Sequence, residues 1–300
     1  MPPLDPVLLA GVDAFTATPM AGNGAVVALL PAPASDHWMQ ALAAELQQSE
    51  TAFLWHDPRG DRWALRWFTP RCEVPLCGHA TLAATVALAH WGRLRAGGEL
   101  QLHCRSGALA VGLDGADGSA AWLDLPTTPL LPRSREPWMD ALPGGGPQQV
   151  WTSALGYGVL LLADGTDLSG LDPADAGWAS GPEPAWVVMR AGGSSADPGA
   201  DYSLRFFAPG LGLAEDPVTG SAHALVAPWW CRRLGRLRVR GWQPSHRPGG
   251  VTAAPLPSGM IRLFGAGVLL WDGQMVRPPE PGSAASWAAV LGWQPSGDDG

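Results

Sequence analysis

Two stretches of this chain are copies of one another, and that constrains its fold more than any other feature. Leu65-Arg66-Trp67-Phe68-Thr69-Pro70 matches Leu204-Arg205-Phe206-Phe207-Ala208-Pro209. After a loop that is three residues longer in the second copy, Glu73-Val74-Pro75-Leu76-Cys77-Gly78-His79-Ala80 matches Glu215-Asp216-Pro217-Val218-Thr219-Gly220-Ser221-Ala222. Eight of these 14 pairs are identical, where unrelated segments of ordinary composition give about one. An offset of 139 residues at the first pair is too long for a solenoid repeat and suits a duplicated domain. The length of 300 residues independently points to two domains or one large one.

Each copy carries the same succession of local signals. Leu65 to Phe68 alternates and is aromatic-rich, as a strand is, and a Pro-bearing loop leads to a Gly that opens an apolar segment. His79 to Trp91 is apolar on every side, the mark of a buried helix, and Gly92 is its stop. Ser221 to Leu234, with Gly235 beyond it, reads likewise, except that Pro228 predicts a kink or a delayed start. Each unit is thus expected to be a sheet wrapped around one central helix.

Elsewhere the pattern predicts a helix over His37 to Gln48 capped by Ser35 or Asp36, and a strand over Thr51 to His56. One or two strands are expected over Leu100 to Leu113, a turn over 114–119, and an irregular linker over Thr127 to Gln149. Met260 to Leu263 and Val268 to Trp271 read as a hairpin about Gly265 and Gly267. A spacer over 278–286 precedes a short element over Trp287 to Trp293 and a frayed end. The lobes are placed at 1–118 and 119–286. Residues 287–300 form a C-terminal element and tail, with a return to the first lobe as one option.

Composition closes several function classes. A hydrophobic content of 46% with 16 Trp demands a core, against disorder. A net charge of -8, with every basic residue an Arg, argues against nucleic acid as a partner. The dense run Arg232, Arg233, Arg236, Arg238 and Arg240 reads as a helix end complementing its dipole and a strand facing water. No signal peptide and no apolar run long enough for a membrane span is found, so a cytoplasmic chain with no membrane partner is expected. Cys72, Cys77, Cys104 and Cys231 lack CxxC or finger spacing, so neither a metal site nor a disulfide framework is expected, and the thiols read as reduced.

Chemistry concentrates where the repeat meets its helices. Gly78 and Gly220 stand where a strand gives way to a helix start, whose amides and positive dipole end can hold an anion. A two-fold relation between the copies would let those starts face each other across a cleft and grip a small carboxylate-bearing molecule. His79 and Ser221 are equivalent in the two copies, and Asp216 replaces Val74, so the site would be asymmetric. Asp216 would orient His79 or hold an ammonium, and Ser221 would donate to a carboxylate. Capping by Asp, Ser or Thr is the plain alternative. Glu50, between a helix and a hydrophobic strand, is either a loop Glu or a carboxylate whose pKa burial raises toward neutrality.

Val12-Asp13-Ala14-Phe15, Gly22-Asn23, Ser49-Glu50-Thr51-Ala52-Phe53-Leu54, Phe68-Thr69-Pro70, the segment from Glu73 to Thr81 and that from Glu215 to His223 resemble the signature segments of the PhzF-like phenazine biosynthesis isomerase family. They occur in family order across nearly the whole chain. The resemblance implies an α/β (α+β) fold of diaminopimelate epimerase type: two similar lobes, each a curled, mostly antiparallel sheet around a central helix, with the active site between them. It implies proton transfer without a cofactor, a small carboxylate-bearing substrate, and a homodimer. Position by position, Glu50 takes the place of the catalytic acid/base, and His79, Asp216 and Ser221 that of its supporting residues. Asn23, Gly78, Ala80, Gly220 and Ala222 take the place of substrate-binding residues.

Related epimerases use two cysteines, one on each face of the substrate carbon. Cys77 falls at the first such position, but its repeat partner is Thr219, whose hydroxyl is a poor base. One-base isomerisation through Glu50 is therefore expected over amino-acid epimerisation or racemisation. A catalytically silent metabolite-binding dimer is the reading from a different class. Departures at Gly24, Trp67, Trp229-Trp230 and Arg247-Pro248-Gly249-Gly250 leave the substrate open.

Overall fold

The computed structural model describes residues 5–114 and 120–293. Most of the turn expected over 114–119, and the end expected to fray, lie outside the described residues. The fold is a mixed α/β one, rich in sheet, and it divides into two compact units. One is drawn from Met1–Met20, Gly24–Asp124 and Gly265–Gly300, the other from Ala21–Asn23 and Leu125–Phe264. The return to the first unit thus comes at Gly265, ahead of the boundary expected at 286.

In the first unit, strand Asn23–Leu30 runs parallel to Glu50–Asp57, which is antiparallel to Arg62–Phe68. Arg62–Phe68 is in turn parallel to Glu99–Cys104, which forms a hairpin with Gly107–Asp114. The strand pair expected over 100–113 is this hairpin. Helix Asp36–Leu46 joins the first two strands, and its cap is Ser35, whose hydroxyl accepts from the Trp38 amide. Helix Gly78–His90 is apolar on all sides, as its sequence requires, and packs against Leu8–Ala14, Glu50–Asp57, Gly107–Asp114 and Gly267–Gln274. Its small residues Ala80, Ala83, Ala84 and Ala87 are fully buried, so strands approach it closely.

The second unit has the same order of pairings. Tyr157–Leu161 is parallel to Ala185–Ala191, which is antiparallel to Tyr202–Ala208. Tyr202–Ala208 is parallel to Val239–Gln243, which pairs antiparallel with Gly249–Pro255. Helix Gly220–Leu234 packs on the last two strands and ends at Gly235, which takes the left-handed conformation (φ 63°) that glycine adopts without strain. The linker region holds a two-residue strand, Leu131–Pro132, and a 3-10 turn over Pro137–Ala141.

Two expectations are corrected. Pro228 does not delay the start of its helix, which is continuous from Gly220 to Leu234. Proline cannot donate to the carbonyl four residues back, that of Ala224, and the Thr127 hydroxyl donates to that carbonyl instead at 3.0 Å. The runs about Gly265 and Gly267 are strands, Ile261–Gly265 and Gly267–Gln274, but each pairs elsewhere. The first is antiparallel to Gly249–Pro255 and the second to Leu8–Ala14. Neither glycine takes the positive φ that a tight two-residue hairpin turn needs, so the chain passes on without reversing.

A buried arginine in each unit fixes the approach to the central helix. Arg66 grips both oxygens of Glu73 at 2.8 and 2.9 Å and reaches Asp36 at 2.7 Å. Arg205, its repeat equivalent, grips Glu215 at 2.6 and 2.7 Å and donates to the carbonyls of Leu168 and Leu171. These bidentate pairs pin the loops that lead into Gly78 and Gly220. In the basic run, Arg236 and Arg240 pair with Asp201 and Asp197, and Arg238 lies over the Phe264 ring. No helix among the described residues is long and apolar enough to cross a membrane.

Candidate active site

In the first unit the site is built at the start of one strand and the start of one helix. Parallel pairing sets Glu50 opposite Ala25 at the mouth of its strand. Cys77 is the residue before the first turn of helix Gly78–His90, and His79 lies within that turn. The two elements bring Glu50 Oε2 to 3.1 Å from His79 Nε2, with side-chain exposures of 16% and 6%. Ser49 Oγ donates to the Gly24 carbonyl at 3.1 Å and stands 3.1 Å from the same His79 nitrogen. Cys77 Sγ lies 3.5 Å from His79 Nδ1.

The electrostatics make Glu50 and His79 an ion pair. Burial pushes the Glu50 carboxyl upward, but the His79 charge, its hydrogen bond and those of Ser49 and Cys77 together outweigh it, leaving the group below its ordinary 4.5. The expected rise toward neutrality is corrected accordingly: a cationic partner in contact stabilises the carboxylate more than dehydration destabilises it. For His79, burial opposes the charge and is outweighed by the Cys77 sulfur and the Glu50 carboxylate, so the imidazole sits well above 6.5. Burial and the Glu50 charge push Cys77 upward and the His79 charge and hydrogen bond pull it down, for a net rise above its ordinary 9.0.

In the second unit the loop before helix Gly220–Leu234 is held from three sides. Asn23 Nδ2 donates to Asp216 Oδ1 at 2.7 Å and to the Val218 carbonyl at 3.0 Å. Thr219 Oγ1 donates to Asp216 Oδ2 at 2.6 Å. Gln243, fully buried, accepts from the Thr219 amide at 3.0 Å and donates to the Asp216 carbonyl at 2.6 Å. Ser221 Oγ lies 3.2 Å from the Tyr157 hydroxyl.

The structure therefore gathers Glu50, Gly78, His79 and Ala80 in one unit, and Asn23, Asp216, Gly220, Ser221 and Ala222 in the other. Ala80 and Ala222 have fully buried methyls, so any contact they make with a substrate is through the backbone. Neither central helix has a side-chain cap, since Thr219 points its hydroxyl at Asp216 instead. His223, within the second motif, is a core residue: its Nδ1 is 2.8 Å from the Tyr202 hydroxyl and burial lowers its pKa to about 3.

Sequence reading missed Ser49, Tyr157 and Gln243. Ser49 is adjacent to Glu50 and was within reach of attention. Gln243 carries no local signal, because only the parallel pairing of Tyr202–Ala208 with Val239–Gln243 brings it to the loop. Linear cysteine spacing likewise hid a cluster in which donor atoms of Glu50, Cys77 and His79 all lie within 4.8 Å of one another.

A family model for phenazine biosynthesis-like proteins matches residues 12–259. An uncharacterized isomerase of Pseudomonas aeruginosa is 37% identical over 266 residues, spanning 88% of this chain and 96% of that protein. The crystal structure of a PhzF-family phenazine biosynthesis protein from Enterococcus faecalis superposes with a TM-score of 0.81 at 29% identity, covering 91% of this chain and all of that one. A probable proline racemase from Agrobacterium radiobacter shares the fold, with a TM-score of 0.59 at 14% identity over 95% of this chain and 99% of that one.

Proposed function

The chain belongs to the phenazine biosynthesis-like protein family and is an isomerase, and we propose that it moves a proton on a small carboxylate-bearing metabolite by one-base catalysis through Glu50. The observation that carries this reading is the buried contact of Glu50 with His79. The His79 imidazolium keeps Glu50 ionised and ready to accept a proton at neutral pH. Glu50 takes a proton from one carbon of the substrate, becomes a neutral acid beside a cation, and returns the proton to another carbon as the double bonds shift. No atom is gained or lost, so the net change is isomerisation.

Ser49 and Cys77 flank the imidazole, with Ser49 Oγ 3.1 Å from Nε2 and Cys77 Sγ 3.5 Å from Nδ1. In the second unit, Ser221 and the Gly220 helix start supply donors for a carboxylate, and Asn23, Thr219 and Gln243 fix Asp216 for an ammonium or a hydroxyl. Thr219 donates its proton to Asp216, and this supports the one-base reading over a two-thiol epimerase. The matching order of strand pairings supports descent of both units from one, in the diaminopimelate epimerase manner. A cytoplasmic homodimer belongs to the same reading.

Incubation in deuterated water with a panel of cyclic and amino-acid carboxylates, followed by NMR, tests the base. Deuterium enters the substrate with the native protein, and Glu50→Gln lowers the rate by a factor of about 100 or more. Exchange that survives in Glu50→Gln and is lost in Cys77→Ser assigns the chemistry to the thiol instead. Binding without exchange across the panel favours a metabolite-binding role.

A further inference from the structure

We propose that Tyr157 is the carboxylate-selecting residue of the second unit, where its phenol and the Ser221 hydroxyl stand in the place that the Glu50 and His79 pair holds in the first. The repeat fixes the equivalence, since Arg66 matches Arg205 and His79 matches Ser221. Arg66 lies opposite Phe53 and Arg205 opposite Val188, so Glu50, three residues before Phe53, is equivalent to Ala185, three before Val188. On the parallel neighbour Glu50 lies opposite Ala25, and Ala185 lies opposite Tyr157. The first unit thus sets a carboxylate beside an alanine, and the second an alanine beside a phenol. The polar side chain has moved to the neighbouring strand, about 4.8 Å away. A phenol is long enough to cover that step: its hydroxyl lies 3.2 Å from Ser221 Oγ, as Glu50 Oε2 lies 3.1 Å from His79 Nε2.

Tyr157 is held in this place by its surroundings. Buried Ser153 donates to the Tyr157 carbonyl at 3.0 Å and accepts from its amide at 3.3 Å, closing a turn in which Gly156 takes a φ of 78°. The phenol ring meets the buried Phe206 ring edge-on at 4.9 Å. Tyr157 and Ser221 are both half-buried, so a ligand can reach them at the start of helix Gly220–Leu234. The two pairs differ in kind. Carboxyl and imidazole groups trade protons in the middle of the pH range, whereas a phenol, with an ordinary pKa of about 10, and an alcohol do not. The second pair therefore binds and does not transfer. A carboxylate offers only acceptors, each of two hydroxyls can turn a proton toward it, and the positive end of the helix adds to the attraction. Hydrogen bonds to a charged acceptor are roughly twice as strong as those to a neutral one, so the pair selects a carboxylate over the carboxamide of the same shape.

This role deepens the proposed function and rests on it only in taking the bound carboxylate for the substrate's. The chain has two tyrosines, and the other, Tyr202, is buried against His223. Tyrosine labelled with carbon-13 at Cζ therefore gives two NMR signals, one of them an internal control. Titration of the full chain with benzoate is expected to move the Tyr157 signal saturably and to leave that of Tyr202 in place, while benzamide at the same concentrations moves neither. Tyr157→Phe, which keeps the ring against Phe206, weakens benzoate binding by about tenfold or more in ligand-observed NMR, and Ser221→Ala does the same. A Tyr157 signal that benzoate leaves unmoved, an equal response to benzamide, or benzoate binding as tight in Tyr157→Phe as in the native chain overturns the proposal. A lowered melting temperature of Tyr157→Phe with undiminished affinity assigns the residue to packing alone. If binding depends on Tyr157 while deuterium exchange survives in Glu50→Gln, the carboxylate site stands and the one-base mechanism fails. If exchange needs Glu50 while Tyr157→Phe binds carboxylates unchanged, the mechanism stands and the role of Tyr157 fails.

Discussion

The Glu50 and His79 pair couples stability to pH in a direction that follows from its two shifts. Glu50 has a folded-state pKa below its ordinary 4.5, so its contribution is present above that value and is lost as pH falls through the folded value. His79 has a folded-state pKa well above 6.5, so its contribution is complete below 6.5 and is lost as pH rises through the folded value. Melting temperature against pH is thus expected to fall on the alkaline side as His79 deprotonates, and His79→Asn is expected to remove that limb. An alkaline limb of unchanged size in His79→Asn places its origin elsewhere. The sequence identified Glu50 only through its resemblance to a family, because a lone Glu between a helix and a strand has no chemical signature. The charge state that matters depends on a partner 29 residues away, which no local pattern encodes.

Elements were legible where periodicity and punctuation agreed. The central helix Gly78–His90 and helix Asp36–Leu46 with its Ser35 cap match their patterns to within a residue or two. Pro228 is the instructive exception, since the rule that proline interrupts a helix assumes that the orphaned carbonyl finds no other donor. Thr127 supplies that donor from a segment read as linker. Thr127→Val is expected to destabilise the fold by about 1 to 2 kcal/mol in urea unfolding. The cost should largely vanish in a Pro228→Ala background, where the new N–H serves Ala224. A cost for Thr127→Val that is the same in both backgrounds would refute the compensation. The hairpin misread about Gly265 has a related cause: two adjacent strands look the same in sequence whether they pair with each other or with distant ones.

On the scale of the molecule, the first unit is completed by the end of the chain. Trp287, in helix Ala284–Leu291, is fully buried in a core with Val7, Phe53 and Trp55, and its indole N–H donates to the Ala34 carbonyl at 3.0 Å. Trp287→Ala is expected to cost about 3 to 5 kcal/mol, measured by urea unfolding, as a large ring removed from a core leaves a cavity. A change below 1 kcal/mol would show that the C-terminal helix is dispensable. The sequence by itself determined the repeated segments and the two buried helices with their stops, because each is written in local spacing and composition. Only the tertiary structure decided that Glu50 is ionised, that Cys77 joins it and His79, that Gln243 clamps the Asp216 loop, and that the last strand pairs with the first. The physical reason is common to all four: each depends on groups far apart in sequence, whose separation in space is set by sheet pairing and whose charges are set by burial.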